Sequence, residues 1–232
     1  MATSGSTNRR TSRPALPVVA RETLNDRVLR ELRTMIMSGG FAPGEELTLR
    51  ALAAALHVSL MPVRDAIGRL VVERALEMLP NRKVIVPHLT IDGFLEIRRV
   101  RMLLEGEAAA LAANHAGSEL IDNLKSIQKK IVTLTPGRQR QFLALNRDFH
   151  FAIYEAARSP LLLSMIESLW LQIGPVFNHI PLNFTAEGAR GHDRILAALQ
   201  ARDAKAARAA IVEDLSKGGD RIVASLIDAR KN

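Results

Sequence analysis

Two residues four positions apart carry the first chemistry that this sequence suggests. Asn146 and His150, in the segment ALNRDFHFAI, share one face of a predicted helix. Another imidazole, His192, and a carboxylate, Asp214, fall on later predicted helices. Imidazoles and carboxylates are common ligands of divalent transition metals. The Asn–His pair alone is weak evidence for a metal site, because a histidine inside a helical domain is usually just hydrogen-bonded.

A second set of residues has the chemistry of DNA recognition. The segment HVSLMPVRDAIGRL, residues 57–70, predicts a helix with Ser59 as its N-cap. Arg64 falls on the outer face near the N-terminal end, from which an arginine can pair with guanine in the major groove. Leu60 and Met61 share that face, where such a helix usually offers polar side chains to DNA. The predicted inward face comprises Val63, Ala66, Ile67 and Leu70.

The charge of the chain is concentrated in its N-terminal part. The formal net charge is +8. Residues 1–88 hold 13 Lys and Arg against 8 Asp and Glu, whereas the longer remainder holds 19 against 16. This balance suits a polyanionic partner of the first part, although a solvated basic surface has the same composition.

Composition also limits the class of protein. The chain is 47% hydrophobic, so it can bury a core, and it has no Cys, which excludes disulfides and thiolate metal sites. No apolar run reaches membrane-spanning length without a charge, and the N-terminus lacks the apolar block of a signal peptide. We therefore expect a cytoplasmic protein without a membrane partner.

Short elements precede and follow the predicted DNA-reading helix. Residues 1–21 are rich in Ser, Thr, Pro and Arg and predict a flexible basic tail. Hydrophobic periodicity predicts helices over 24–37 and 47–56, and β-like runs at 75–79 and 83–87 flank a PNR turn. Three helices followed by a hairpin predict a winged helix-turn-helix over residues 22–88.

The sequence pattern of the rest of the chain predicts helices and no strands. Residues 89–232 predict an all-helical domain of six or seven helices, with Thr90, Ser159 and Asp203 as caps. The fold class is therefore mainly α, with an N-terminal winged helix-turn-helix and a C-terminal helical bundle. An apolar stripe at 161–170 fits either the core or a dimer surface.

Both parts resemble one family of bacterial regulators. The segments IMSGGFAPGEEL and LRALAAALHVSLMPVRDAIGRLVVERALEMLPNRKVIV resemble the DNA-binding domain of the GntR family. The segments EIRRVRMLLEGEAA, NRDFHFAIYEAA and HDRILAALQARDAKAARAAIVEDL are similar to the FadR-type ligand-sensing domain called FCD. Together these motifs span nearly the whole chain outside the tail.

The resemblance implies a set of DNA contacts. Arg64 matches a family arginine that reads guanine, and Arg50 matches one that contacts DNA. Ser59 and the amides at the helix start would hold phosphate. The wing would place three more side chains against the backbone or the minor groove, namely Asn81, Arg82 and Lys83.

Leu60 and Met61 depart from the family pattern. The family usually has Arg and Thr at these positions. The two side chains would either pack against neighbours, with a slightly different docking of the helix, or contact thymine methyl groups. In both cases one charged DNA contact is lost.

The resemblance also implies a sensing site. Metal-binding FCD domains have Asp, His, His and His at the spacing of the residues that are here Asn146, His150, His192 and Asp214. This set suits Zn²⁺, Ni²⁺ or Mn²⁺, with open positions for water or an effector. Arg101 matches a family arginine that points into the ligand cavity, yet it could instead pair with Glu105. Tyr154, one turn after His150, is expected to line the cavity.

These expectations combine into one function. We expect a homodimeric transcription regulator that binds a near-palindromic operator in double-stranded DNA. We expect it to act as a repressor and to respond to a small organic acid. Two alternatives remain open at this stage. One is a metal-dependent hydrolase or lyase in the helical domain, and the other is a DNA-binding dimer without a metal.

Overall fold

The computed structural model describes residues 23–135, 137–179 and 185–229 of the 232-residue chain. The N-terminal part contains α1 (Leu24–Met37), β1 (Glu46–Leu47), α2 (Leu49–Leu56), α3 (Leu60–Val72), β2 (Glu77–Met78) and β3 (Val84–Ile85). The C-terminal part contains α4 (Ile91–His115), α5 (Ser118–Val132), α6 (Gln139–Ala156), α7 (Pro160–Ile173), a 3-10 helix (Gly174–His179), α8 (Thr185–Gln200) and α9 (Ala204–Ala229). The fold is therefore mainly α, as predicted. The expected tail at residues 1–21 lies outside the described residues.

Local capping explains where several helices begin. The Thr23 side chain accepts from the amide of Asp26, whose own side chain accepts from the Thr23 amide, which forms a capping box at the start of α1. Thr90 accepts from the Gly93 amide at 3.1 Å, and Asp203 accepts from the Ala206 amide at 2.9 Å. The predicted caps at Thr90 and Asp203 are confirmed, whereas Ser159 precedes α7 without a side-chain capping bond.

The wing contains a strand that the sequence did not predict. β1, β3 and β2 form an antiparallel sheet in that order, with Leu47 opposite Val84. The helix predicted over 47–56 therefore begins later, at Leu49, with Thr48 as its N-cap. The prediction was wrong at Leu47, because pairing with β3 buries this side chain in the core and outweighs the local helical periodicity.

The helical domain is built around α4. This helix packs most extensively against α9, and α8, α6 and α7 also contact it. Its buried face is rich in small side chains, so neighbouring helices can approach closely. These small residues are Gly106, Ala108, Ala109, Ala112 and Ala113. The close approach brings side chains from four helices into one interior site.

The two domains contact each other through α1, α6 and α7. Gly174, at the end of α7, lies against α1, and a Cβ at this position would collide with the carbonyl oxygen of Ile36. Arg33 of α1 binds Glu167 of α7 at 2.9 Å and Glu73, the C-cap of α3, at 2.6 Å. Arg33 of α1 therefore links the end of α3 to the helical domain.

One segment has the length and composition of a membrane span. Residues 160–177 are sufficiently apolar, but 44% of the segment is buried inside the protein and it includes Glu167. Ile166 and Trp170 lie in the core, whereas Leu161 is 71% and Met165 50% exposed. The stripe predicted at 161–170 thus has one core side and one exposed side.

Candidate functional site

The start of α3 presents a charged side chain and two apolar ones to solvent. Arg64 is exposed and has no hydrogen-bond or ion-pair partner among the described residues. Leu60 is 42% and Met61 61% exposed, so neither packs into the core. The opposite face of the helix is buried as predicted, at Val63, Ala66, Ile67 and Leu70. This end of α3 can therefore offer one guanidinium and two apolar side chains to a groove of DNA.

Two further residues that were predicted to contact DNA lie at helix starts near this surface. Ser59 is the N-cap residue, but its side chain makes no capping bond, which leaves the hydroxyl available at the positive end of the helix dipole. Arg50 is the second residue of α2 and is exposed. Both lie at helix starts, where anions are favoured.

The wing residues are exposed, and two of them already have partners in the chain. Arg82 has a positive φ of 65° at the tip. The Asn81 side chain accepts from the Lys83 amide at 3.1 Å, and Lys83 Nζ binds Glu46 at 2.6 Å. Of the three, Arg82 is thus the residue without a side-chain partner in the part of the chain that is described.

Three of the four predicted metal ligands converge inside the helical domain. His150 of α6, His192 of α8 and Asp214 of α9 each offer a ligand atom, and these atoms lie within 4.8 Å of one another. His150 Nε2 is 3.3 Å from Asp214 Oδ2. Two atoms bound to one Zn²⁺ at 2.0–2.2 Å lie roughly 3 to 3.5 Å apart. The donor types and the spacing therefore fit a divalent metal.

Hydrogen bonding orients the imidazole of His150 for ligation. Tyr154 donates its hydroxyl proton to Glu105, so at its contact with His150 Nδ1, at 3.1 Å, it must accept. His150 therefore carries a proton on Nδ1 and directs Nε2 towards Asp214, where a metal would replace the proton that Nε2 donates to this carboxylate. Burial and then the charge of Glu105 raise the pKa of Tyr154 well above its ordinary value, which keeps the donor proton in place.

His192 is oriented in the same way by another side chain. Its Nδ1 lies 3.0 Å from Gln128 Oε1, while the amide nitrogen of Gln128 donates to Asp193 at 3.0 Å. Because Gln128 Oε1 can only accept, His192 Nδ1 carries the proton and Nε2 is free to act as a ligand. The ring also stacks on Phe149 with a centroid separation of 4.0 Å.

Ionisation favours the forms that a metal requires. Burial lowers the pKa of His192 to about 3, with His150 acting in the same direction and Asp214 against it. Burial alone would raise the pKa of Asp214, but the hydrogen bond and charge of His150 outweigh it. His192 and Arg101 add to this effect, so the pKa of Asp214 is lowered overall. At neutral pH the site holds a neutral imidazole at His192 and a carboxylate at Asp214.

Asn146 lies beside this cluster rather than being buried in it. It lines a cavity of about 100 Å³ together with His150, Asp214 and Arg101. Its amide makes no hydrogen bond with the described residues. It can therefore turn towards an ion or an effector in the cavity.

Arg101 has both of the roles that the sequence left open. Its Nε binds Glu105 Oε1 at 2.5 Å and its Nη2 binds Glu105 Oε2 at 3.1 Å, and both residues are buried. The guanidinium also lines the cavity and lies 4.6 Å from the ring centroid of Trp170. Nη1 makes no hydrogen bond within the described chain, so this nitrogen is available to an anion.

Tyr154 is the predicted effector residue that the structure places elsewhere. It is 1% exposed and lies behind His150, not among the cavity-lining side chains. The prediction was wrong because a residue one helical turn after His150 points towards Glu105 of α4. The structure gives Tyr154 a supporting role, in that it orients His150.

Sequence reasoning missed the residues that support the site. Glu105 receives hydrogen bonds from Tyr154 and, at 3.0 Å, from Trp170 Nε1, in addition to its pair with Arg101. Gln128 is buried and orients His192. A buried glutamate and glutamine on amphipathic helices carry no local signal that separates them from surface residues, apart from the i, i+4 spacing of Arg101 and Glu105.

Comparisons with known proteins identify both domains. The family described as "Bacterial regulatory proteins, gntR family" matches residues 24–86, and the FCD domain family matches residues 96–217. HTH-type transcriptional regulator McbR of Escherichia coli is 32% identical over 202 residues, which cover 82% of this chain and 89% of McbR. The solved structure of E. coli McbR/YncC has a TM-score of 0.81 and 28% identity, and it covers 91% of this chain and 100% of that one.

Another relative is described as a probable transcriptional repressor. The probable D-xylose utilization operon transcriptional repressor of Paenarthrobacter nicotinovorans is 28% identical over 195 residues, covering 81% of this chain and 84% of that protein. The two family matches agree with the observed order of a winged helix-turn-helix followed by a helical domain. The chain therefore belongs to the GntR family of bacterial regulatory proteins with an FCD domain, and it is a DNA-binding transcription regulator rather than an enzyme.

Proposed function

We propose that this regulator is a cytoplasmic, homodimeric repressor whose operator affinity changes when a small organic acid binds at a metal-containing site. In this proposal residues 22–88 form the DNA-binding domain and residues 89–232 form the sensing and dimerisation domain, with residues 1–21 as a basic tail. The observation that carries the proposal is the convergence of His150, His192 and Asp214 beside a cavity that Arg101 also lines.

DNA reading is assigned to the exposed end of α3 and its neighbours. Arg64 would pair with guanine, Arg50 would contact DNA, and Ser59 would hold phosphate. Leu60 and Met61 would contact thymine methyl groups, since both are exposed beside Arg64. The wing residues Asn81, Arg82 and Lys83 would contact the backbone or the minor groove, with Lys83 leaving Glu46 for a phosphate.

Dimerisation follows from the symmetry that an operator requires. Two copies related by a two-fold axis would place two α3 helices on the half-sites of a near-palindrome. The exposed Leu161 and Met165 of α7 are apolar residues that a second copy would cover. We propose no membrane partner for this protein.

The metal would be held by His150, His192 and Asp214, with Asn146 as a further oxygen donor. Zn²⁺, Ni²⁺ and Mn²⁺ all suit such a set, and the ion would supply a Lewis-acidic position for a carboxylate. Elemental analysis of chain purified without chelator should give close to one ion per protomer. A His192→Gln variant should give far less, and equal low values in both would favour the metal-free alternative.

Repression is the sign of regulation that this proposal assigns. A reporter promoter that overlaps an operator of this protein should lose expression when the protein is produced. Addition of the effector should restore expression. Higher expression with the protein than without it would contradict the assignment as a repressor. This result would not contradict the proposed DNA contacts.

A further inference from the structure

The cavity beside the cluster of His150, His192 and Asp214 has a polar end and, away from it, apolar as well as cationic side chains. The polar end consists of His150, Asp214, Asn146 and Arg101. Away from it, the wall includes four cationic side chains and a set of aromatic and aliphatic ones, which are Phe94, Phe142, Leu143, Phe177, Leu215 and Ile222. Gln139 also lines this part, but its amide nitrogen donates to the Phe177 carbonyl at 3.0 Å. A hydroxyl-rich ligand would leave its polar groups unsatisfied against the apolar part of this wall.

Each of the other four cations that line the cavity has an interaction within the chain. Arg98 binds Asp220 at 2.6 Å. Arg194 and Lys217 both bind Glu213, at 3.3 Å and 2.6 Å. Arg221 lines the cavity too, and it likewise has an interaction within the chain. These side chains therefore do not form a free cluster for a second or third anionic group of a ligand.

Gly218 differs from the other two glycines that line the cavity. A Cβ on Gly191 would collide with Asp214, and a Cβ on Gly219 would collide with Arg98. A Cβ on Gly218 would meet no heavy atom within 4 Å. Glycine in the middle of α9 costs helix stability relative to alanine, and here no packing contact requires it. The open space above Gly218 is therefore part of the cavity itself.

We propose that the effector is a small monocarboxylate with an apolar body, such as an aromatic or branched-chain acid, and that Gly218 sets the size of that body. This inference rests on the proposed function and narrows it. The carboxylate lies at the Arg101 and Asn146 end, and the apolar body lies over Gly218 between the aromatic side chains. A body of about the size of one ring fits a cavity of about 100 Å³.

Titration calorimetry on the full-length, Mn²⁺-loaded protein tests the ligand class. Benzoate, phenylacetate and isovalerate serve as apolar acids, and citrate and gluconate serve as polar acids. We expect at least one apolar acid to bind ten-fold or more tightly than either polar acid. Tighter binding of citrate or gluconate would overturn the inference while leaving an acid-responsive regulator in place.

Substitution at Gly218 tests the size limit. Gly218→Leu should weaken the best apolar acid at least ten-fold, and Gly218→Ala should weaken it less. Mn²⁺ affinity, measured by competition with a chelator, should stay within two-fold of the wild-type value, which shows that the site is folded. The matched control is Gly117→Leu. A Cβ on Gly117 would also meet no heavy atom within 4 Å, but this glycine lies at the start of α5, outside the cavity lining.

The outcomes separate the inference from the proposed function. Unchanged apolar-acid affinity in Gly218→Leu would show that the body of the ligand lies elsewhere and would overturn the inference alone. If no acid of either group binds the metal-loaded wild type or changes its DNA affinity, both the inference and the acid-sensing function fail.

Discussion

Leu60 and Met61 determine what kind of DNA contact the first turn of α3 can make. Their exposure leaves apolar surface where the family usually has Arg and Thr. An apolar contact with a thymine methyl adds sequence preference without releasing a counterion from the phosphates. The binding of this regulator should therefore depend less on salt than that of a variant with a cation at position 60.

Leu60→Arg should steepen the salt dependence of operator binding. We expect the slope of log K against log salt to increase in magnitude by about one per protomer, because one more cation reaches DNA. Fluorescence anisotropy at several salt concentrations measures the slope. Val72→Arg is the control, since Val72 is 83% exposed at the other end of the same helix. An unchanged slope and an unchanged preferred site in Leu60→Arg would remove position 60 from the interface.

Tyr154→Phe should weaken metal binding without touching a metal ligand. It removes the acceptor that holds the proton of His150 on Nδ1, and losses of such supporting contacts cost about 10- to 100-fold in metal affinity. Trp170→Phe is the control, because it removes a donor to Glu105 but leaves the partner of His150 in place. Equal losses of Mn²⁺ affinity in the two variants would show that the hydrogen bonds to Glu105, and not the orientation of His150, determine the metal affinity.

At the scale of elements, the sequence predicted helices better than the wing. The predicted bounds of α1 and the predicted caps of α4 and α9 agree with the structure, because caps and strong periodicity mark helix ends. The short strand β1 was not predicted, because a strand of two residues shows no hydrophobic periodicity. Leu47 joins the sheet only by pairing with β3, which lies far along the sequence. The convergence of His150, His192 and Asp214 was predicted from residue types and family spacing, whereas the roles of Glu105 and Gln128 depend on how α4 and α5 pack.

α7 contacts both the cavity of the helical domain and α1. Trp170 lines the cavity and binds Glu105, and one turn later Gly174 presses on the end of α1. Glu167 on the same helix binds Arg33, which also binds Glu73 at the end of α3. A shift of α7 on effector binding would therefore displace α1 and, through Arg33, change the position of α3.

Gly174→Ala should destabilise the protein although alanine favours helices. The added Cβ collides with the backbone of α1, so we expect a loss of about 1 to 3 kcal/mol in the free energy of unfolding. Gly218→Ala is the comparison, since its Cβ has space and should add up to about 1 kcal/mol. Urea unfolding of both variants measures this, and equal stabilities would mean that the two domains do not meet at Gly174.

At the scale of the whole molecule, a metal would fasten three helices together. Its ligands come from α6, α8 and α9, so binding requires the folded domain and must stabilise it. At a free Mn²⁺ concentration of one hundred times Kd, the gain in unfolding free energy should be about 2.7 kcal/mol.

This gain should disappear in Asp214→Asn and remain in His115→Gln, which replaces an exposed histidine at the end of α4. Urea unfolding with Mn²⁺ and with chelator measures both variants beside the wild type. A similar Mn²⁺ effect in Asp214→Asn and the wild type would place the ion elsewhere.

The central claim is that two copies of α3 read a two-fold DNA site through Arg64. The most direct test is selection of bound sequences from a random DNA pool at fixed salt, with wild type and Arg64→Ala in parallel. We predict an enriched near-palindrome for the wild type, with guanine at a fixed position in each half-site that loses its enrichment in the variant. No enrichment for the wild type, or the same palindrome with the same guanine in both proteins, would contradict the claim.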